Sequence, residues 1–475
     1  MDVHVSLIGR THLTREIYAQ LREAIVEGRL RPPEPLPPTR EMARRLGVAR
    51  ATVTAAYDRL AGEGFITSRV GSGTFVCQDA AQLRLAPTKL RTESALRPRR
   101  VWDEIPLSTA FARPAAFDFR MGLPDLSLFP HAAMRRLIAR ELRSGASAAG
   151  AYAHPAGDGR LREAIARHIG VSRGVICSAD NVIVTNGMQQ ALDVVARAFL
   201  APGEQVAVED PGYRPPRWLL KSLGMRVRGV PVDEDGLMVD ALPRGTRLVY
   251  VTPSHQYPLG MSMTLGRRLA LLAWAEKHDA AIVEDDYDCE FRFGGRPIEP
   301  LQMLDRAGRV TYIGSFSKTT LPTLRLGFVV TPPSLREAIF KAKYVSDWHS
   351  PMPLQAALAQ FIDDGSFDRH IRKMRNIYCV RFETITGILR RDFSNHLEIV
   401  PSSAGLHVAA IARAASVKQI DTVVHRASAH GIEVQTLARF AIDQRPRSGL
   451  ALGYGAIPAS RIQEGLRRLR SCFDG

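Results

Sequence analysis

Between about residues 120 and 330 the chain repeats one pattern: a short apolar, β-branched run, a polar or glycine-containing turn, then apolar residues at helical spacing. The runs are Val182-Ile183-Val184-Thr185, Gln205-Val206-Ala207-Val208, Leu248-Val249-Tyr250-Val251, Ala281-Ile282-Val283 and Val310-Thr311-Tyr312-Ile313. Runs this short, separated by helical stretches such as 265–274, require a largely parallel sheet covered by helices on both faces. Ligands of such sheets bind beyond the carboxyl ends of the strands. Each run is followed at once by an unusual word, so the turns carry the chemistry.

The fifth turn, Ser315-Phe316-Ser317-Lys318-Thr319-Thr320, leads past Arg325 and Gly327 into a further run, Phe328-Val329-Val330-Thr331. Hydroxyls at Ser315 and Ser317 and the Arg325 guanidinium suit a phosphate. A lysine amine beside a phosphate site is what a Schiff base with pyridoxal phosphate requires. The other turns supply the remaining parts. Asn186-Gly187-Met188-Gln189 opens a helix, whose N-terminal N–H groups cradle anions. Glu209-Asp210-Pro211-Gly212-Tyr213 offers an aromatic face to a cofactor ring. In Glu284-Asp285-Asp286-Tyr287-Asp288 a carboxylate can pair with a pyridinium N–H, and Tyr287 can face the ring's phenolic oxygen. Asp286 and Asp288 are expected in a solvated acidic turn, and His255 is expected as a hydrogen-bonded structural residue.

The first eighty residues follow a different rule. Leu13, Ile17, Leu21, Ala24 and Ile25 recur every three or four residues and predict a one-sided helix over 13–26. Prolines between Pro32 and Pro38 end it. Thr39 is expected to cap a short second helix that stops at Gly47, and a third begins after Ala49. Two helices joined by a tight Gly turn form a helix-turn-helix. The stretch 64–76 reads as a two-stranded wing with a Gly-rich tip. Residues 1–100 hold 17 Lys and Arg against 10 Asp and Glu, a net of +7 that favours docking to a polyanion.

These words carry two resemblances. Leu36-Pro37-Pro38-Thr39-Arg40-Glu41, Val48-Ala49-Arg50-Ala51-Thr52-Val53 and Gly71-Ser72-Gly73-Thr74-Phe75-Val76 resemble the winged helix-turn-helix of GntR-type bacterial regulators. The resemblance implies DNA contacts from Arg40, Arg50 and Thr52, with Arg69 and Gly71 on the wing. Ala49 stands where that family usually has a capping serine, and Pro33 where a glycine is usual. The words at 152–157, 161–162, 185–192, 209–213, 252–260, 284–290 and 315–327 resemble fold type I aminotransferases, and the whole chain resembles the MocR subfamily of GntR regulators. Carried over, Lys318 forms the Schiff base, Asp285 pairs with the pyridinium nitrogen, Tyr287 bonds the phenolic oxygen and Tyr213 stacks on the ring. Gly187, Met188, Gln189, Ser315, Ser317 and Arg325 hold the phosphate. Tyr152 reaches the partner subunit's cofactor, implying a homodimer. Ala451 stands where aminotransferases usually keep an arginine for the substrate carboxylate, with Arg445 and Arg447 as nearby substitutes, and Tyr257 replaces their usual asparagine. Both departures favour sensing over turnover.

The expected organisation is a DNA-binding domain over 1–78, a linker over 79–115 and an α/β aminotransferase-like domain over 116–475 with a smaller C-terminal α+β subdomain. The net charge of +16 fits a polyanionic partner. Five scattered cysteines, without CxxC or metal-ligand spacing, argue for a reducing compartment and against a disulfide framework or a metal. With no signal segment and no long apolar run, the expectation is a cytoplasmic protein without a membrane partner. The expected function is a pyridoxal-phosphate-dependent transcription regulator that binds operator DNA and senses an amine-bearing effector or the cofactor itself. The rival expectation is a working aminotransferase with a DNA-binding appendage; a third treats the large domain as a dimerisation scaffold.

Overall fold

The computed structural model describes residues 5–7, 11–69, 71–79, 97–106, 115–144, 152–294 and 299–474. The chain divides into two compact units, Met1–Arg99 and Arg100–Gly475. That division falls inside the stretch expected as linker. Of that stretch, residues 80–96 and 107–114 lie outside the described residues. Arg100–Trp102 forms a short 3-10 turn at the start of the second unit, and Glu104 pairs with Lys221 at 3.2 Å.

In the first unit, α1 (Leu13–Val26) buries Ile17, Tyr18, Leu21, Ala24 and Ile25 on one face. Pro35–Leu36 forms β1, followed by α2 (Thr39–Leu46) and α3 (Arg50–Gly62). Gly47 ends α2 at φ 65, a left-handed stop natural to glycine. Thr39 is already helical and makes no side-chain cap; extended Pro38 holds the cap position, because proline's fixed φ suits a helix entrance. The wing is three-stranded: β2 (Ile66–Arg69) and β3 (Gly73–Val76) pair antiparallel, and β1 adds to the far side of β3. Pro35 fits there because β1 is an edge strand.

The second unit begins with β4 (Phe117–Asp118), α4 (His131–Ser144) and α5 (Gly159–Arg173). Then come β5 (Val182–Thr185), α6 (Met188–Phe199), β6 (Gln205–Asp210), α7 (Arg214–Ser222), β7 (Arg226–Asp233), β8 (Gly236–Leu237), β9 (Thr246–Val251), α8 (Leu265–Lys277) and β10 (Ala281–Asp286). α9 (Leu301–Leu304), β11 (Val310–Ser315), β12 (Gly327–Val330), α10 (Arg336–Asp347), α11 (Met352–Asp363) and α12 (Ser366–Asp392) complete the large part. The chain ends with β13 (Leu397–Ile399), β14 (His407–Ala412), α13 (Val417–Ala429), β15 (Ile432–Glu433), β16 (Gln435–Thr436), β17 (Gly449–Gly453) and α14 (Ala459–Ser471).

The central sheet runs β5-β12-β11-β10-β9-β6-β7-β8. β11, β10, β9, β6 and β7 are mutually parallel; β12 is antiparallel to both β11 and β5. β5 therefore points the same way as β11, and the carboxyl ends of β5, β6, β9, β10 and β11 share one edge. A second sheet, β13-β14-β17-β16, is antiparallel and forms the smaller C-terminal part.

Candidate functional site

The strands run further than their apolar runs suggest, and this relocates the acids. β10 extends through Asp286, so Glu284, Asp285 and Asp286 lie within a central strand and are all buried. The expected solvated acidic turn is not what forms. Asp286 bonds Arg173 at 2.8 Å and the Tyr312 hydroxyl at 2.7 Å. Asp288, 1 % exposed, accepts from His255 Nδ1 at 3.0 Å and from the Leu406 N–H at 3.2 Å. Glu284 accepts the Leu301 and Gln302 N–H groups and faces Arg268. Buried carboxylates need such partners.

Among these four acids Asp285 is the exception. Its Oδ2 accepts the Tyr250 hydroxyl, whereas its Oδ1 is buried and has no hydrogen-bond partner among the described residues. Burial above all pushes its carboxyl up to about 7, with Tyr250 and Lys318 opposing and Asp286 reinforcing. An orphaned carboxylate oxygen in a central strand is a site for a cation with a proton to donate.

Lys318 sits in the turn after β11, and its Nζ–H donates to the Gly122 carbonyl at 2.7 Å. Burial holds its pKa below the ordinary lysine value, against the pull of Asp288 and Asp285, which favours the nucleophilic free amine. Gly122 turns at φ 79, a left-handed conformation natural to glycine, and presents its carbonyl to that amine.

The turn between β5 and α6 forms a cup. Gly187 precedes α6 at φ 81 and ψ 179, and an added Cβ would lie 3.0 Å from Arg325 Nη2. The first-turn N–H groups of α6, including those of Met188 and Gln189, have no intrahelical acceptor. Arg325, itself left-handed at φ 52, donates to the Asn186 carbonyl at 3.0 Å. Across the cup, Ser315 Oγ and Ser317 Oγ are 3.0 Å apart. Ser315 pairs with Gly327, which pairs in turn with Thr185, so the two turns leave neighbouring strand positions. Glycine, helix terminus, hydroxyls and guanidinium are groups that suit a phosphate.

The aromatic residues line this region. Tyr213 precedes α7 and meets Tyr257 edge to face at 5.0 Å; burial raises its pKa to about 12. The Tyr287 hydroxyl donates to the His255 carbonyl at 2.9 Å. His255 is hydrogen-bonded, as expected, and stands beside Tyr287 as well. His255, Asp288 and His407 also bring ligand atoms within 4.8 Å of one another, but His407 Nε2 is turned to the Pro258 carbonyl at 3.1 Å. Tyr152 is 81 % exposed and stacks on Trp348 at 4.6 Å. Ala451 is fully buried in a cluster with Met121, Leu259, Leu437 and Phe440. Arg447 donates to the Val232 carbonyl, and Arg445 is exposed. Sequence reasoning missed Tyr250 and Gly122.

In the first unit, Arg40, Arg50 and Arg69 are exposed and Thr52 is half-buried. Arg50 Nε bonds Thr39 Oγ1 at 3.3 Å, bringing the starts of α2 and α3 together. Arg69 lies 5.8 Å from the Phe75 ring, and Gly71 turns at φ 79. Ala49 holds the α3 cap position without a side-chain bond.

Fold and site define a regulator of transcription with a winged DNA reader and an aminotransferase-like domain. The model of "Bacterial regulatory proteins, gntR family" matches residues 13–76, and that of "Aminotransferase class I and II" matches 126–448. The probable rhizopine catabolism regulatory protein MocR of Rhizobium meliloti is 38% identical over 97% of this chain and 93% of its own length. The pyridoxine biosynthesis transcriptional regulator PdxR of Corynebacterium glutamicum is 31% identical over 94% and 92%. Among solved structures, LysN, an α-aminoadipate aminotransferase of Thermus thermophilus complexed with N-(5'-phosphopyridoxyl)-L-leucine, matches with TM-score 0.68 and 29% identity over 76% of this chain and 92% of that one. The chain belongs to the MocR type of GntR-family regulators.

Proposed function

We propose that the second unit holds pyridoxal phosphate at Lys318 and uses it to sense an amine, and that occupancy changes how the first unit grips operator DNA in the cytoplasm. The observation that carries this is the Asp285 Oδ1 orphan, in the same pocket as Lys318. The residues fit the cofactor: Asp285 would take the pyridinium N–H, Tyr213 the ring face, and Tyr287 the phenolic edge. Gly187, Met188, Gln189, Ser315, Ser317 and Arg325 would take the phosphate. When bound, the cofactor supplies an aldehyde that condenses with primary amines and a ring that withdraws electrons. The chain's own part is to present Lys318 as a free amine, to keep a proton near Asp285, and to seat the phosphate.

Exposed Tyr152 is available to a second copy, which supports a homodimer in which it reaches the partner subunit's cofactor. In the first unit, Arg40, Arg50 and Thr52 would meet DNA, with Arg69 and Gly71 on the wing. The rival reading, a working aminotransferase, is favoured by the complete set around Lys318. It is opposed by Ala451, which packs among apolar side chains, while Arg447 is turned to the Val232 carbonyl and Arg445 is exposed. The test is borohydride reduction of the full chain incubated with pyridoxal phosphate, followed by peptide mapping. A reduced adduct on Lys318 is expected; recovery of that lysine unmodified would end the cofactor assignment.

A further inference from the structure

The cup at the start of α6 is held from outside by a distant acid. Asn186 and Gln190, which bracket Gly187, Met188 and Gln189, both donate to Asp347 Oδ2, each at 2.7 Å. The Asn186 N–H also donates to Gln190 Oε1 at 2.8 Å, closing the ring of contacts. Asp347 is the last residue of α10, which packs against α6. A carboxylate there is doubly misplaced. It sits at the negative end of its own helix, and it stands next to a cup shaped for an anion.

Lys343, one turn back in α10, accounts for its tolerance. Its ammonium bonds Asp347 Oδ1, and its side chain is 0 % exposed. Lysine is almost never fully buried unless paired. The same helix provides a control: Lys341 and Glu337 have the same i, i+4 spacing but are 69 % and 79 % exposed. That pair is an ordinary surface contact of little consequence. The Lys343–Asp347 pair differs: its ammonium is fully buried, its carboxylate is 27 % exposed, and the remaining carboxylate oxygen is spent on the two amides flanking the cup.

We propose that Asp347 and Lys343 are positioning residues for the phosphate cup: Asp347 fixes Asn186 and Gln190 so that the α6 N–H groups converge, and Lys343 cancels the Asp347 charge so that the cup still attracts a dianion. This rests on the cofactor reading above. Neither residue touches the ligand. Both act through the turn, so their effect is specific to the phosphate.

The test measures affinities of the full chain for pyridoxal phosphate and for pyridoxal, which lacks the phosphate, by absorbance titration. Lys343→Met leaves Asp347 uncompensated and is expected to weaken pyridoxal phosphate roughly tenfold or more while leaving pyridoxal within about twofold. Because a buried lysine site is sensitive to substitution, two charge-neutral doubles accompany it. Lys343→Met with Asp347→Asn keeps an acceptor oxygen and is expected to stay within about threefold of wild type. Lys343→Met with Asp347→Ala removes that acceptor and should lose the preference for the phosphorylated ligand. Equal losses for both ligands, or equal behaviour of the two doubles, would overturn the proposal. A wild-type chain that binds neither ligand at Lys318 would instead overturn the cofactor reading.

Discussion

The two units present their functional groups in opposite ways. The first exposes arginines on short, consecutive elements, so that Arg40, Arg50 and Arg69 lie within a stretch of thirty residues. The second gathers buried acids and a half-buried lysine contributed by strands and turns spread from Gly122 to Lys318. An exposed cation acts through bulk electrostatics and is screened by salt. A buried carboxyl cannot ionise cheaply, so its proton becomes part of the site. The first unit reads charge and groove shape; the second is built around protonation states.

Substitutions should separate these two modes. The largest effect is expected for Lys318→Ala: complete loss of the visible band of lysine-linked cofactor, with far-UV circular dichroism unchanged. Persistence of that band in Lys318→Ala would place the link elsewhere.

Asp285→Asn comes next. Cofactor affinity should fall on the order of a hundredfold, because the pyridinium loses its charged partner. Ligand-free stability should move the other way. Asp285 titrates at about 7 in the folded chain, above its unfolded value. The folded state therefore binds more protons between about pH 4 and 7, and wild type loses stability as pH rises through that window. The asparagine variant should lack this contribution and be more stable above pH 7 by on the order of 1–3 kcal/mol. Urea melts at pH 5 and pH 8 measure it, and an unchanged pH slope in the variant contradicts the burial argument.

Arg50→Ala should weaken operator binding by about 1–3 kcal/mol and leave the cofactor spectrum intact. Electrophoretic or fluorescence titration at several salt concentrations distinguishes a phosphate contact from a base contact, since only the former flattens the salt dependence. The smallest effect is expected from Ala49→Ser, which restores a side-chain acceptor at the bare start of α3 and should stabilise the first unit by about 1 kcal/mol.

Local order explains what could be read from the residues alone. Lys318, Ser315, Ser317 and Arg325 occupy one turn, and Gly187 opens one helix, so spacing and residue type suffice. The helix over 13–26 follows from a single apolar face. Burial of Asp286 and Asp288 was not legible, because their partners Arg173 and His255 come 113 and 33 residues earlier. Tyr250 hides as one more apolar position in β9, and Gly122 contributes only a carbonyl. Thr39 looks like a cap by composition, yet Pro38 takes that position through backbone geometry.

The central claim is that an occupied amine pocket changes the grip of a separate basic module on DNA. Titrating the full-length protein against its own promoter, with and without pyridoxal phosphate, tests it most directly. The account predicts that the cofactor shifts the binding curve of wild type and not that of Lys318→Ala. Superimposable curves for wild type under both conditions would contradict it.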